Sequence, residues 1–179
     1  YSSLQFTELS NELGSAIGLV LFTRSARAKN GVQTLAQAGK ITSVLIWGSA
    51  AAGLAAYVAA PLAVPILLGE KYSNAASALQ ILFLGIPFAI TSKILYPALA
   101  GLGRSAVGIW IIIPGLLIQA LLGWLLIRPL GATGAAWSLL VSQAFICIAY
   151  IVAIRLMYGI RMSLFLIPDF SAIFRGLKR

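Results

Sequence analysis

Polar and apolar positions along this chain fall in long blocks rather than in a short alternation. Residues 69–103 show it best. A polar turn, Gly69-Glu70-Lys71-Tyr72-Ser73, gives way to an apolar run over 75–99, which closes on Gly101-Leu102-Gly103-Arg104. About 25 residues at ~1.5 Å rise exceed the ~30 Å hydrocarbon thickness of a bilayer. The run predicts a membrane-spanning helix, and similar blocks flank it. Together they predict about five spans, at residues 4–22, 41–68, 75–99, 105–127 and 132–157.

Each block has its own punctuation. In the first, Glu8 and Glu12 stand four apart and so share one helix face, which should meet water, a cavity or the membrane surface. The basic stretch 23–40 reads as a loop, part of it an amphipathic surface helix with Val32, Leu35 and Ala36 toward lipid. The second span is rich in Gly and Ala, which let helices approach closely, and Pro61 and Pro65 predict a kink near its end. Ser73 or Asn74 can cap the third span, which carries Pro87, Pro97 and Lys93. Lys93 is either a lysine snorkelling to the headgroups or a cation facing a cavity. The fourth span holds Pro114, Gly115 and Gln119, a residue suited to interhelical hydrogen bonding, and Arg128-Pro129 predicts a turn after it. Gly131, Gly134 and Ala135 predict a close-packing surface at the start of the fifth span, Trp137 an interfacial position. Residues 163–177 are amphipathic enough to lie on a membrane surface.

Composition agrees with the block pattern. Of 179 residues, 60% are hydrophobic and 9% charged, and mean hydropathy is +0.98, whereas soluble domains carry about a quarter charged residues. The net charge of +9 would suggest nucleic acid in a soluble protein. Here the basic residues sit between apolar blocks, so no nucleic-acid partner is expected; membrane lipids are. Cys147 is alone, which rules out an internal disulfide, and reads as a small core or lipid-facing residue. The chain has no histidine, the commonest metal ligand and general base.

Charge also orients the spans. One set of turns and the tail holds Arg24, Arg27, Lys29, Lys40, Arg104, Arg155, Arg161, Arg175, Lys178 and Arg179; the other holds Lys71, offset by Glu70, and Arg128. The positive-inside rule predicts that the first set is cytoplasmic, with Tyr1 outside and the carboxy-terminus inside. Because the chain opens on Tyr1, it is expected to be the carboxy-terminal part of a longer membrane protein.

The sequence offers no P-loop, metal-spaced cysteines or nucleophile elbow. No enzymatic activity, cofactor or metal is expected. Kinked helices rich in small residues, with sparse polar groups, suit a secondary transporter.

Four segments carry a resemblance: Tyr1-Ser-Ser-Leu through Glu8 to Leu21-Phe22-Thr-Arg-Ser25; Gly69-Glu-Lys-Tyr72-Ser-Asn-Ala75-Ala76; Ala98-Leu-Ala-Gly-Leu-Gly103-Arg104; and Gly131-Ala-Thr-Gly134-Ala-Ala136. In order and spacing they resemble the second half of the multidrug/oligosaccharidyl-lipid/polysaccharide exporter superfamily, specifically its Wzx-type polysaccharide flippases. Thr23 stands where that family usually has proline. The resemblance implies an all-α integral membrane fold, with residues 1–160 forming most of the second lobe of a two-lobe transporter and 161–179 a basic cytoplasmic tail. It implies movement of undecaprenyl-diphosphate-linked oligosaccharide to the outer leaflet, in polysaccharide or O-antigen assembly in a bacterial or archaeal plasma membrane. Polysaccharide polymerase and glycosyltransferases are the protein partners it suggests. Glu8 matches the family's helix-eight acid. Glu12, Lys93, Arg104 and Gln119 are the further candidates for substrate contact or ion coupling. A related drug/cation exporter and a non-transporting membrane scaffold are the alternatives.

Overall fold

The computed structural model describes residues 23, 31–70, 75–161 and 163–166. Four long helices carry the fold: α1 (Gly31–Leu68), α2 (Ala75–Gly101), α3 (Ser105–Leu130) and α4 (Ala132–Tyr158); a single turn, α5 (Ser163–Leu166), follows. Each of the four is long and apolar enough to cross a membrane. Helices satisfy their backbone groups internally, which is the condition for spanning lipid. The protein is an all-α, multi-pass membrane protein. The span expected at 4–22, with Glu8 and Glu12, lies outside the described residues, as do the capping candidates Ser73 and Asn74.

The helices pack in the spatial order α1, α2, α4, α3, with a lesser contact between α2 and α3. Register follows from individual contacts. Gly53 meets Phe83 while Tyr57 meets Gln80, so α1 and α2 are antiparallel. Gly108 meets Tyr150 while Gly123 meets Ser138, so α3 and α4 are antiparallel as well. Gly85 lies opposite Leu140 and Thr91 opposite Cys147, so α2 and α4 run parallel. Short connections enforce this arrangement. Gly131 alone joins α3 to α4, with φ 56° and ψ −129°, a conformation that a Cβ all but forbids.

Several expectations need correction. Residues 31–40 are helical, as expected for part of the basic stretch, but they form no separate surface helix: α1 starts at Gly31 and runs 38 residues, about 57 Å at ~1.5 Å each, well beyond the bilayer core. Leu35 does not face lipid; it is wholly buried in a core cluster with Leu95, Leu99, Ile160 and Phe165. Burial of that stripe is what carries the helix through a polar stretch. Phe165 likewise turns to protein, since the ring lies against Gly39 closely enough to touch any added Cβ at 3.0 Å. Finally, Arg128-Pro129 makes no turn. Pro129 sits in the last turn of α3, and the chain reverses at Gly131. At the start of α4 the buried small residues are Gly134 and Ala136, while Ala135 is exposed.

The apolar core gathers at one end. Leu35, Ala38, Ile94, Leu95, Ala98, Leu99, Ile154 and Ile160 all lie toward the Gly103 and Gly159 turns. Toward the Gly69 and Gly131 turns, α1 presents Leu54, Val58, Leu62 and Ile66 outward.

Candidate functional site

Six prolines lie inside the long helices: Pro61 and Pro65 in α1, Pro87 and Pro97 in α2, Pro114 and Pro129 in α3. A proline has no N–H, so the carbonyl four residues earlier loses its helical donor. In hydrocarbon an unsatisfied carbonyl costs several kcal/mol. At the α1–α2 contact two of these carbonyls face the neighbouring helix. Pro61 opens the Tyr57 carbonyl, and Gln80 Nε2 of α2 donates to it at 3.0 Å. Pro87 opens the Phe83 carbonyl, and the Gly53 backbone of α1 lies against it, close enough that a Cβ would sit 2.6 Å from the oxygen. Gln80 thus supplies the donor that Pro61 removed, and Gly53, having no side chain, lets the two helices close over the Phe83 carbonyl.

The α3–α4 contact uses glycine instead. The buried residues of α3 are Gly108, Gly115 and Gly123. Against them runs a ridge of α4 residues spaced by four: Gly134, Ser138, Ser142, Ile146 and Tyr150. Side chains on the glycines would overlap Tyr96 at Gly108 and Ile146 at Gly115. Gly134 lies against the Leu126 carbonyl, where no side chain fits. Ser142 Oγ donates to the Gly115 carbonyl at 2.7 Å, fully buried.

Between α2 and α4 lies a polar seam. Thr91 is wholly buried, donates to the Pro87 carbonyl at 2.9 Å, and lies beside the Cys147 thiol. Cys147 is thus a core residue. Tyr150, also wholly buried, brings its hydroxyl to the α2–α3–α4 junction beside Gly108; neither that hydroxyl nor Gln143 Oε1 has a hydrogen-bond partner among the described residues.

The sequence-predicted site residues are dispersed. Lys93 is half-buried on α2, eight residues before its end, or about 12 Å in from the turn. Arg104 is exposed in that turn, its carbonyl accepting from the Val107 N–H at 3.2 Å. Gln119 is half-buried near the middle of α3, about 22 Å from Arg104 along the helix. It lines an open groove of roughly 450 Å³ between α3 and α4, with Leu116, Gly123, Trp124 and Ser138 among its other walls. Among the described residues no group of three or more His, Cys, Asp or Glu could hold a metal ion. What sequence reading missed is Gln80, Thr91 and Tyr150; the close approach expected of the small residues in the second span is seen at Gly53, but not its partner, the Phe83 carbonyl. The spacing of Gly108, Gly115 and Gly123 at seven and eight was the available signal for the α3 seam.

These features define a polytopic helical membrane protein whose spans meet through proline-opened carbonyls, glycine contacts and one internal polar seam. No family model, no curated protein and no solved structure matches the chain.

Proposed function

We propose that the chain is part of a secondary transporter of the polysaccharide-flippase type, carrying undecaprenyl-diphosphate-linked oligosaccharide from the cytoplasmic to the outer leaflet by alternating access. The observation that carries a transporter reading is the pair of proline-opened carbonyls at the α1–α2 contact, that of Tyr57 bonded by Gln80 and that of Phe83 covered by Gly53. Helices whose ladders are interrupted and then completed by a neighbour can bend there without stranding a carbonyl in lipid. Both helices run unbroken through these prolines, and secondary transporters use helices weakened or broken within the membrane. The substrate class comes from the sequence resemblance. In this reading residues 1–160 form most of one lobe, and the ends bearing Arg104, Arg155 and Arg161 face the cytoplasm. Lys93 and Arg104 would attract the diphosphate from that side, and Glu8 is the first candidate for ion coupling.

The test is genetic and chemical. Deleting the full-length gene from a polysaccharide-producing host should stop export and trap lipid-linked oligosaccharide on the inner leaflet. Glu8→Gln in the full-length protein should lower export without lowering membrane abundance. Normal export after deletion would remove the flippase reading; unchanged export with Glu8→Gln would remove Glu8 alone from the mechanism.

A further inference from the structure

Positive charge gathers at one end of the bundle. Arg104, Arg155 and Arg161 are all exposed there, around the Gly103 and Gly159 turns. Among the described residues the one carboxylate side chain is Glu70, beside the Gly69 turn at the opposite end. A single contact shows how closely the three arginines are drawn together. A Cβ on Gly31 would meet both Leu102, at 3.3 Å, and Tyr158, at 3.8 Å. Arg104 follows Leu102 by two residues, and Arg155 and Arg161 stand three residues to either side of Tyr158. Turn hydrogen bonds fix the backbone of the first two. The Arg104 N–H donates to the Leu99 carbonyl at 3.0 Å, and the Arg155 carbonyl accepts from the Gly159 N–H at 2.9 Å.

Guanidinium groups keep their charge at any ordinary pH. Three of them around one point repel each other, and the repulsion grows where the membrane lowers the dielectric. An anion offsets it. The flanking segments of the chain are themselves basic: residues 24–30 bring Arg24, Arg27 and Lys29, and residues 167–179 bring Arg175, Lys178 and Arg179 against Asp169 alone. The membrane is the better source. These turns end apolar spans, so the arginines stand at headgroup level, where a lipid phosphate presents the paired oxygens that a guanidinium fork takes. Beyond Arg104, α3 turns Ile109, Trp110 and Ile113 outward, an apolar face for the acyl chains of the same molecule.

We infer that this end of the α3–α4 hairpin docks an anionic phospholipid, its phosphate held by Arg104 and Arg155 with Arg161 beside them, and its acyl chains along α3. The occupant is a resident membrane lipid, so the site stands whether or not the chain exports oligosaccharide. A soluble phosphate could meet the same arginines but would leave the apolar face of α3 untouched, and the test separates the two.

The test uses the full-length protein in nanodiscs of phosphatidylcholine, with acyl-brominated phosphatidylglycerol added in steps and brominated phosphatidylcholine as the neutral control. Trp110 is the reporter, exposed on α3 six residues, or about 9 Å, beyond Arg104. Only the fluorescence that Trp110→Phe removes is read. Brominated phosphatidylglycerol should quench it at about tenfold lower mole fraction than brominated phosphatidylcholine. Arg104→Gln combined with Arg155→Gln should bring the two lipids within about twofold of each other. Arg128→Gln, at the far end of α3, should leave the preference as it was. Millimolar pyrophosphate should not restore the fluorescence. Equal quenching by the two lipids in the unsubstituted protein, a preference that survives the double variant, or displacement by pyrophosphate would each overturn the inference. Quenching of the double variant by brominated phosphatidylcholine at the unsubstituted level shows that α3 is still in the bilayer, so misfolding cannot imitate the expected result. Both leaflets of the disc share one composition, so the outcome is independent of which end faces the cytoplasm.

Discussion

Gln80 Nε2 sits 3.0 Å from the Tyr57 carbonyl, and that carbonyl is open because Pro61 has no proton to give it. The amide replaces a missing turn of backbone. Removing it should therefore hurt only as long as the proline is present. Gln80→Leu should lower stability in a detergent or bilayer unfolding titration by about 1 kcal/mol. Pro61→Ala restores an N–H for Tyr57, and in that background Gln80→Leu should cost close to nothing. An equal penalty in both backgrounds would show that Gln80 acts through packing alone.

The same logic applies at the other carbonyl, with a steric sign. Gly53→Ala puts a methyl against the Phe83 oxygen, a backbone atom that cannot rotate away. The helices must part, at a cost of about 1–3 kcal/mol. Since Gly53 and Gln80 hold one interface, the double variant should fall short of additivity by about 0.5 kcal/mol or more. Strict additivity in the same titration would mean that the two contacts are independent.

At the α3–α4 seam, Ser142→Ala removes the bond to the Gly115 carbonyl and should cost roughly 0.6 kcal/mol, the usual worth of such a bond between membrane helices. Gly115→Ala should cost more than Ser142→Ala, because its methyl overlaps the Ile146 side chain. Melting of the purified protein followed by tryptophan fluorescence gives the order directly, since Trp110 and Trp124 lie on α3.

Gly134 is the most constrained of the seam residues. Any side chain there meets the Leu126 carbonyl across a one-residue linker. Gly134→Ala should lower the yield of folded protein more sharply than Gly115→Ala, where the obstacle is a flexible side chain. Comparable folded yields by size-exclusion chromatography would contradict this.

Outside the spans, Phe165→Ala should empty the site against Leu35 and Gly39 at a cost of about 2–4 kcal/mol if that site is as well packed as a soluble core. Limited proteolysis near residue 35 should speed up. An unchanged cleavage rate would mean that the cover over Leu35 is supplied by other residues.

The long apolar blocks made the spans legible before the structure was known: 75–99, 105–127 and 132–157 differ from α2, α3 and α4 by at most three residues at either end. Hydropathy reports the thickness of a membrane, and these helices match it. It did not show that the amphipathic stretch at 31–40 is continuous with the span and buries Leu35, Ala38 and Thr42 as a narrow stripe against protein. Nor could it show which helices are neighbours. Gln80 looks like a polar lapse in an apolar run until Tyr57 is placed beside it, and Pro61 looks like a kink alone until Gln80 is seen to bond the carbonyl it opens. Lys93, Arg104 and Gln119 were read as one potential set, but their heights along the bundle separate them.

The contact between Phe165 and Gly39 joins the first described helix to the last. Everything in between must be synthesised and threaded before that contact can form. Until α5 leaves the ribosome, the apolar stripe at Leu35 and Ala38 has no cover on that side, so this stretch of α1 is made before the other three long helices and buried after them. Emergence of α5, rather than insertion of any one of the four long helices, is the event that seals this end of the bundle.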